Sequence, residues 1–460
     1  MLTQKSSLLE GQKRLDEIKS YMSNNTMKNK PKQSKPPGFE TLAIHAGASP
    51  DPTTGARNVP IYNSTAYVFD DVDHAASLFN LQTFGYLYSR IGNPTVSALE
   101  EKVAALENGR AAVATASGHA AQLLAMYILM EPGANFVSSP NLYGGSITQF
   151  THTFKKFGWE CRFADAKNLN SYKDLIDKNT KAIFIEVLAN PGGIVVDIEP
   201  ISEIAKSEGI PLIVDNTTAS PYLCQPFDWG ADIIIHSMTK FLGGHGNAMG
   251  GIVVESGKFD WAQNNKFPAL TQPDPAYHNL TFYETFGDFG FSTKGRAVAL
   301  RDLGPTLSPT NASLISTGIE TLPLRMERHV ENALIVANYL NNHERVEWVS
   351  YAGLKNSPYY ELAKKYLPKG PGSLFTFGLV GGYESGIKLV ESAELISHLA
   401  NLGDTRSLII HPASTTHRQL TDEQRLEAGA GPEVVRISVG LESADDIIAD
   451  LEQSLESAGA

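Results

Sequence analysis

Six short apolar runs alternate with helical or polar stretches between residues 109 and 254. A short apolar run that is rich in β-branched residues and bounded by turn signals is typical of a strand buried on both faces. Strands that alternate with helices favour a mostly parallel sheet covered by helices, which is the α/β class. The runs occupy residues 111–116, 135–138, 182–187, 211–215, 232–236 and 251–254.

The fifth run ends at His236 and is followed by two hydroxyls, Ser237 and Thr239, by Lys240 and by a glycine-rich turn. A lysine at the end of a buried strand is partly desolvated, which lowers its pKa and frees the amine as a nucleophile. The alternative is an ordinary solvated loop lysine. The preceding run ends in a carboxylate, Asp215, and ligands of open α/β sheets bind outside the carboxyl ends of the strands. Together the two residues suit pyridoxal 5'-phosphate, because an acid keeps the pyridine nitrogen protonated and a lysine holds the aldehyde as a Schiff base.

Composition excludes several classes of function. The chain has 460 residues, 42% of them hydrophobic, and a formal net charge of -12. A strongly acidic protein lacks the basic face that nucleic acid or an anionic membrane would require. We find no apolar run long enough to span a bilayer and no secretory signal, so the sequence predicts a cytoplasmic protein. Cys161 and Cys224 have no metal-ligand spacing, and we expect neither a disulfide nor a metal site.

The chain divides into four predicted regions. Residues 1–38 carry eight basic and three acidic side chains and many prolines near their end, which predicts a disordered basic tail. Residues 39–95 are turn-rich and predict an extended N-terminal arm. Asn93 and Pro94 form a helix start that opens the large domain, residues 96–305, since asparagine favours the N-cap and proline the first turn. Residues 306–460 are predicted to form a smaller C-terminal α+β domain.

Two further features bear on function. Residues 255–305 are irregular and aromatic, and so long a connection is typical of a segment that shapes an entrance or an interface. In the C-terminal domain Val435, Ile437 and Val439 alternate as in a half-buried strand, which places Arg436 on the opposite face. An arginine held there suits bidentate binding of a carboxylate, although a solvated strand arginine is an equal alternative.

With these pieces in place, the sequence resembles the cystathionine γ-synthase-like family of pyridoxal-phosphate enzymes from about Phe39 to its C-terminus. Each motif is weak alone, and together they are specific. The motifs are residues 88–95 (YSRIGNPT), 116–120 (ASGHA), 141–145 (NLYGG), 214–217 (VDNT), 236–240 (HSMTK), 411–417 (HPASTTH) and 435–440 (VRISVG).

The resemblance implies the aminotransferase-like fold type I and pyridoxal 5'-phosphate as cofactor. Lys240 would be the catalytic Schiff-base lysine, and Asp215 would pair with the pyridine nitrogen. Ser237 and Thr239 would bind the cofactor phosphate. The remaining phosphate ligands would be the backbone N–H groups of Gly118 and His119 and, from a neighbouring subunit, Tyr88 and Arg90.

For the substrate side, the resemblance implies that Tyr143 stacks on the cofactor ring and shuttles protons with Lys240, while Asn190 bonds the phenolic oxygen. Arg436, with Ser407 nearby, would bind the substrate carboxylate. The use of Tyr88 and Arg90 across an interface implies a homo-oligomer, at least a dimer, with a homotetramer as the expected assembly.

Two departures from the family pattern bear on the reaction. Gly145 stands where methionine γ-lyases have cysteine, and Arg406 stands where many transsulfuration enzymes have glutamate. Both point away from lyase and cystathionine chemistry. The resemblance then implies γ-replacement of O-acetylhomoserine by sulfide, which gives homocysteine and acetate for methionine and cysteine biosynthesis. Cystathionine γ-synthase and methionine γ-lyase activities remain alternatives. An alternative from a different class of function is a non-catalytic nucleotide-binding or scaffold protein.

Overall fold

The computed structural model describes residues 36–459, apart from residues 167, 191–192, 417, 419–420 and 428. Most of the predicted basic tail, residues 1–38, therefore lies outside the described residues. Among the described residues, no helix is both long and apolar enough to cross a membrane.

A seven-stranded sheet lies at the centre of the larger part of the protein, in the order β1-β9-β8-β7-β4-β2-β3. All neighbouring strands are parallel except that β9 runs antiparallel to both β1 and β8. This confirms the prediction of a mostly parallel sheet. The strands are β1 (Ala111–Thr115), β2 (Asn135–Ser138), β3 (Glu160–Phe163), β4 (Thr180–Glu186), β7 (Leu212–Asp215), β8 (Ile233–Ser237) and β9 (Gly251–Glu255).

The buried runs of the sequence account for most of this sheet. Residues 212–214 and 233–235 are completely buried, because helices cover both faces of the central strands. The sequence analysis missed β3, which lies at the sheet edge, is only partly buried and contains Glu160 and Arg162. The sequence analysis also could not predict that β9 is antiparallel, since an apolar run has the same pattern in either strand direction.

The predicted helix start at Asn93 is confirmed. The side chain of Asn93 accepts a hydrogen bond from the Thr95 N–H at 3.0 Å, and Pro94 occupies the first turn. The longer helices of the described chain are Phe39–His45, Val72–Phe79, Pro94–Leu106, Gly118–Leu129, Ile198–Ser207, Pro309–Glu320, Leu322–Asn341, Tyr360–Tyr366, Gly382–Ser392 and Ala444–Ala458. Shorter α-helical turns are Gly144–Thr148, Asn170–Asp174, Ser220–Leu223, Pro268–Thr271, Phe282–Phe286, Gly290–Lys294, Arg301–Leu303 and Asp422–Glu427.

The N-terminal arm contains more regular structure than the sequence analysis expected. Helix Phe39–His45 buries Ala43 completely and is held by Lys102, whose Nζ donates to the carbonyl of Ala43 at 2.8 Å. Between this helix and Asn93, the arm carries many exposed apolar side chains. These are Ile61, Val68, Phe69, Val72, Phe79, Phe84, Tyr86 and Tyr88.

The aromatic segment at residues 255–305 does not present its aromatic side chains at an entrance. It folds into short helical turns, and most of its rings pack together in the main core. Trp261 and Phe291, for example, stack with their ring centroids 5.3 Å apart. The segment therefore extends the core. The buried rings are Trp261, Phe267, Tyr277, Phe282, Phe286, Phe289 and Phe291.

A second sheet, of five strands, forms the C-terminal part in the order β10-β11-β14-β13-β12. It packs against helices Gly382–Ser392 and Ala444–Ala458 around a separate core. Ala312, Ile315 and Met326 pack in the first core instead, although they follow the predicted boundary at residue 305. The strands are β10 (Val346–Ser350), β11 (Leu374–Leu379), β12 (Ser397–His398), β13 (Leu408–Ile410) and β14 (Val434–Ser438), and a separate two-stranded ribbon joins β5 (Leu188–Ala189) to β6 (Ile194–Val195).

Candidate active site

The carboxyl ends of β7 and β8 place Asp215 and the turn that carries Lys240 at the same edge of the sheet. Asp215 is buried, and its two oxygens accept hydrogen bonds from different elements. Oδ1 accepts the Thr217 N–H at 3.0 Å, and Oδ2 accepts Nε2 of Gln122 at 3.4 Å. These bonds fix the direction of the carboxylate, as a partner for a ligand nitrogen requires.

Lys240 is partly buried, and its Nζ donates a hydrogen bond to Oδ1 of Asn401. Burial, and secondarily the positive charge of Arg436, lowers the pKa of Lys240 to about 8. A substantial fraction of the amine is therefore neutral near physiological pH, which a nucleophilic lysine requires. The sequence analysis predicted this lysine from the strand end and missed Asn401, which lies in a loop without any periodic pattern.

Of the four residues predicted to bind phosphate in this chain, Gly118 and His119 begin helix Gly118–Leu129, and Ser237 lies against Gly118. Gly118 packs so closely on β8 that a Cβ there would lie 2.8 Å from Cβ of Ser237. The Ser117 side chain caps the helix by accepting the Ala120 N–H at 3.2 Å. His119 follows in the first turn, where the N–H groups of a helix favour an anion. Thr239 lies beyond Ser237, and its hydroxyl exchanges hydrogen bonds with the backbone of Gly250.

Tyr143 stacks on the ring of His119, with the ring centroids 5.8 Å apart and the planes 27° from parallel. Gly145 lies against this pair, because a Cβ at this position would be 2.4 Å from Cε1 of Tyr143 and 2.9 Å from Cε1 of His119. Only glycine lets the two rings keep this arrangement. The structure thus gives a steric reason for the glycine that the sequence analysis noted as a departure.

Arg436 extends from β14 of the second sheet towards the large domain. Its Nη1 donates to Oδ1 of Asn190, and its Nη2 donates to the carbonyl of Asn401, both at 3.1 Å. Burial lowers the pKa of Arg436 to about 10, which leaves the group charged at neutral pH. Asn401 thus links Arg436 to Lys240. A cation beside a partly neutral amine is suited to bind an amino-acid carboxylate while the amine reacts.

The described hydrogen bonds of Ser407 include none to Lys240 or Arg436. Ser407 is completely buried, and its hydroxyl donates to Oε2 of Glu442 and accepts the Gly440 N–H, both at 2.9 Å. Its backbone N–H also bonds Glu442, at 2.7 Å. With both functions of the hydroxyl occupied in the interior, Asn401 is the residue from this loop that faces Lys240.

Tyr88 and Arg90 lie on the surface of the chain. The Arg90 guanidinium is 5.4 Å from the centroid of the Tyr88 ring. The Arg90 carbonyl accepts a hydrogen bond from the Thr306 hydroxyl at 2.9 Å, which attaches the arm to the body. Both side chains are thus held in exposed positions.

A fully buried polar cluster lies behind the strand ends. Nε2 of His236 lies 2.5 Å from Oε1 of Glu107, and the same oxygen accepts a hydrogen bond from Nδ2 of Asn216 at 2.8 Å. Two members of this cluster are neighbours of candidate ligands in the sequence, since Asn216 follows Asp215 and His236 precedes Ser237. The cluster therefore ties the two strand ends to the end of helix Pro94–Leu106.

The residues present fit pyridoxal 5'-phosphate. The close approach of Gly118 to Ser237 leaves backbone N–H groups and a hydroxyl together for a phosphate. Lys240 has the lowered pKa that binding an aldehyde needs, and Asp215 is buried and oriented for a pyridine nitrogen. Among the described residues, His119 Nε2 and Gln122 Oε1 are buried side-chain atoms without a hydrogen-bond partner in this region.

Comparisons with known proteins agree with this geometry. The sequence profile of the family described as Cys/Met metabolism PLP-dependent enzyme matches residues 40–456. The chain is 49% identical to O-acetyl-L-homoserine sulfhydrylase of Leptospira meyeri, over 93% of this chain and 98% of that one. It is 48% identical to homocysteine synthase of Schizosaccharomyces pombe, over 91% of this chain and 98% of that one.

A solved structure from Campylobacter jejuni, described as an O-acetylhomoserine (thiol)-lyase, covers 91% of this chain and is itself covered completely. It is 43% identical, with a TM-score of 0.89, and contains N'-pyridoxyl-lysine-5'-monophosphate in place of one residue. A structure of metB from Corynebacterium glutamicum is 34% identical, with a TM-score of 0.77, over 91% of this chain and 98% of that one. Fold, site geometry and similarity over nearly the whole length together show that the chain belongs to the family of PLP-dependent enzymes of cysteine and methionine metabolism.

Proposed function

We propose that this enzyme catalyses a γ-replacement in which sulfide displaces acetate from O-acetylhomoserine, giving homocysteine. One observation carries the proposal. Lys240, with a pKa lowered to about 8, is linked through Asn401 to Arg436 at the sheet edge that also carries Asp215. The relatives named O-acetyl-L-homoserine sulfhydrylase support the choice of substrate.

When bound, pyridoxal phosphate supplies an electron sink for negative charge that develops on the substrate. Asp215 would hold the proton on the pyridine nitrogen and so keep that sink effective. Lys240 would hold the cofactor aldehyde and, as a free amine, would take the proton from Cα as general base. Tyr143 would share with Lys240 the movement of further protons at Cα and Cβ. Arg436 would bind the substrate carboxylate and so orient the Cα–H bond towards Lys240.

The overall reaction breaks the Cγ–O bond of the ester and forms a Cγ–S bond, and the leaving acetate carries away the electron pair. Sulfide needs no charged partners at the site, whereas cysteine would bring an ammonium and a carboxylate. Arg406 would repel that ammonium, because like charges placed close together are unfavourable. Asp404, whose Oδ1 lies 3.2 Å from Nη1 of Arg406, offsets part of this charge. We therefore expect a preference for sulfide that is reduced by this ion pair.

We further propose that the active enzyme is a homo-oligomer, at least a dimer and in full a tetramer, and that it is cytoplasmic. The exposed apolar residues of the arm support an interface. The exposed positions of Tyr88 and Arg90 suit binding of the cofactor phosphate in a neighbouring subunit.

Product analysis tests the function. The purified enzyme is incubated with O-acetylhomoserine and either sulfide or cysteine, and homocysteine and cystathionine are quantified. We expect homocysteine to form much faster than cystathionine in the parent and the ratio to move towards cystathionine in Arg406→Glu. Cystathionine formed as fast as homocysteine would favour cystathionine γ-synthase activity. In a separate incubation with methionine, rapid breakdown of that substrate would favour a γ-lyase. Lys240→Ala is the control, in which we expect both turnover and the borohydride-sensitive visible band to be lost.

A further inference from the structure

A second buried carboxyl, Glu186, lies beside Asp215 and was not identified by the sequence analysis. Glu186 ends β4, and Asp215 ends the adjacent parallel strand β7 in register with it. The same signal that identified Asp215, an acid at the end of a buried strand, applies to Glu186. Its side chain is 5% exposed, so its hydrogen bonds decide what it does there.

Both oxygens of Glu186 bind backbone N–H groups of active-site loops. Oε1 accepts the Tyr143 N–H at 2.7 Å, and Oε2 accepts the Asn190 N–H at the longer distance of 3.4 Å. Tyr143 stands before helix Gly144–Thr148, and Asn190 follows β5, so the two loops come from different parts of the chain. One carboxyl group therefore connects the residue proposed to stack on the cofactor ring with the residue that accepts from Arg436.

The charge on Glu186 follows from its surroundings. Burial and the negative charge of Asp215 raise its pKa well above the usual range, and the two backbone N–H groups oppose this only in part. Two carboxylates at neighbouring strand ends do not both ionise easily. The two carboxyl groups have separate donors in the described structure, since Asp215 accepts from Thr217 and Gln122 and Glu186 accepts from Tyr143 and Asn190.

We propose that Glu186 is a positioning residue, a carboxyl clamp that holds Tyr143 and Asn190 at the cofactor. The proposal rests on the function given above. The clamp fixes the two loops through their backbone N–H groups, so the side chains of Tyr143 and Asn190 stay free to act at the site. The 2.7 Å bond to Tyr143 is the stronger of its two contacts.

The chain offers a matched control at the opposite edge of the same sheet. Glu255 ends β9, which runs antiparallel to β8, and pairs there with Ile233 at the start of β8. It is 3% exposed, accepts the Ser292 N–H at 2.9 Å, and has a pKa raised by burial to about 8. Glu255 thus matches Glu186 in burial, in a backbone hydrogen bond and in the direction of its pKa, without contact to Tyr143 or Asn190 among its described hydrogen bonds.

The experiment compares Glu186→Gln, Glu186→Ala and Glu186→Asp with Glu255→Ala. For each holoenzyme the dissociation constant of pyridoxal phosphate, the position of the visible band and the melting temperature are measured. Glutamine keeps one acceptor oxygen for the shorter bond from the Tyr143 N–H, so we expect Glu186→Gln to bind the cofactor within about threefold of the parent. Glu186→Ala removes both acceptor oxygens. In Glu186→Asp the side chain is one methylene shorter, which moves the oxygens away from the N–H groups of Tyr143 and Asn190. In both variants we expect the cofactor to bind roughly tenfold more weakly, as loss of ring stacking and of a buried hydrogen bond implies.

Glu255→Ala should lower the melting temperature without changing the dissociation constant or the band. If Glu186→Ala and Glu186→Asp also leave the dissociation constant and the visible band unchanged, Glu186 does not position Tyr143 and Asn190. If Glu186→Gln binds as weakly as Glu186→Ala, one acceptor oxygen at this position does not hold Tyr143, and the clamp as proposed is wrong. Should one variant fail to fold, the other two still decide between these outcomes. The visible band and the homocysteine formed by the parent test the proposed function separately.

Discussion

Gly145→Ala should impair turnover while leaving the fold intact. A Cβ at this position would lie 2.4 Å from Cε1 of Tyr143, whereas ordinary contacts begin near 3.4 Å, so the Tyr143 ring must move by about 1 Å. Tyr143 is about half exposed, and its ring has room to swing away. We therefore expect a stability loss of only about 1 kcal/mol, the value of one aromatic contact.

The effect on catalysis should be much larger. Displacing a group at the reacting centre by about 1 Å can cost ~10²-fold in rate, so we expect kcat/KM for O-acetylhomoserine and sulfide to fall by about that factor. The assay measures initial rates of homocysteine formation alongside thermal melting. Gly38→Ala serves as control, because a Cβ there makes only an ordinary contact of 3.5 Å, with the Glu40 side chain. A Gly145→Ala enzyme that keeps kcat/KM within threefold of the parent would refute the role of this glycine in setting the Tyr143 ring.

Four further predictions concern the site, the arm and the N-terminal tail. The rate at which apoenzyme captures pyridoxal phosphate should rise about tenfold from pH 7 to pH 9, because Lys240 reacts as the neutral amine and has a pKa of about 8. Replacing Arg436 with methionine removes a nearby positive charge, raises that pKa and should slow capture at pH 7; an unchanged pH profile would contradict the assigned cause. Mixing Arg90→Ala and Lys240→Ala chains should restore part of the activity in hybrid oligomers, and hybrids that form but stay inactive would show that the arm serves its own subunit. Deleting residues 1–36 should leave melting temperature and turnover essentially unchanged, which thermal scans and rate measurements of the truncated enzyme can check.

The class of fold and a candidate centre for the site could be predicted from the sequence. Buried strands require continuous β-branched runs, which are visible without a structure, and the residues that end β7 and β8 follow directly from those runs. Lys240 and Asp215 could be predicted as site residues for that reason. The turn proposed to bind phosphate, with Gly118 and Ser237, was predicted from the family resemblance.

The loop residues that face the site are set by tertiary packing. Asn401 and Ser407 lie six positions apart in one loop, yet Asn401 bonds Lys240 while Ser407 turns into the interior to bond Glu442. The steric reason for glycine at position 145 is the stacked pair of Tyr143 and His119, which leaves no space for a Cβ. The role of Glu186 depends on two loops that are 47 residues apart, at Tyr143 and Asn190. Such contacts are set by how the loops pack over the sheet edge, and no local periodicity encodes them.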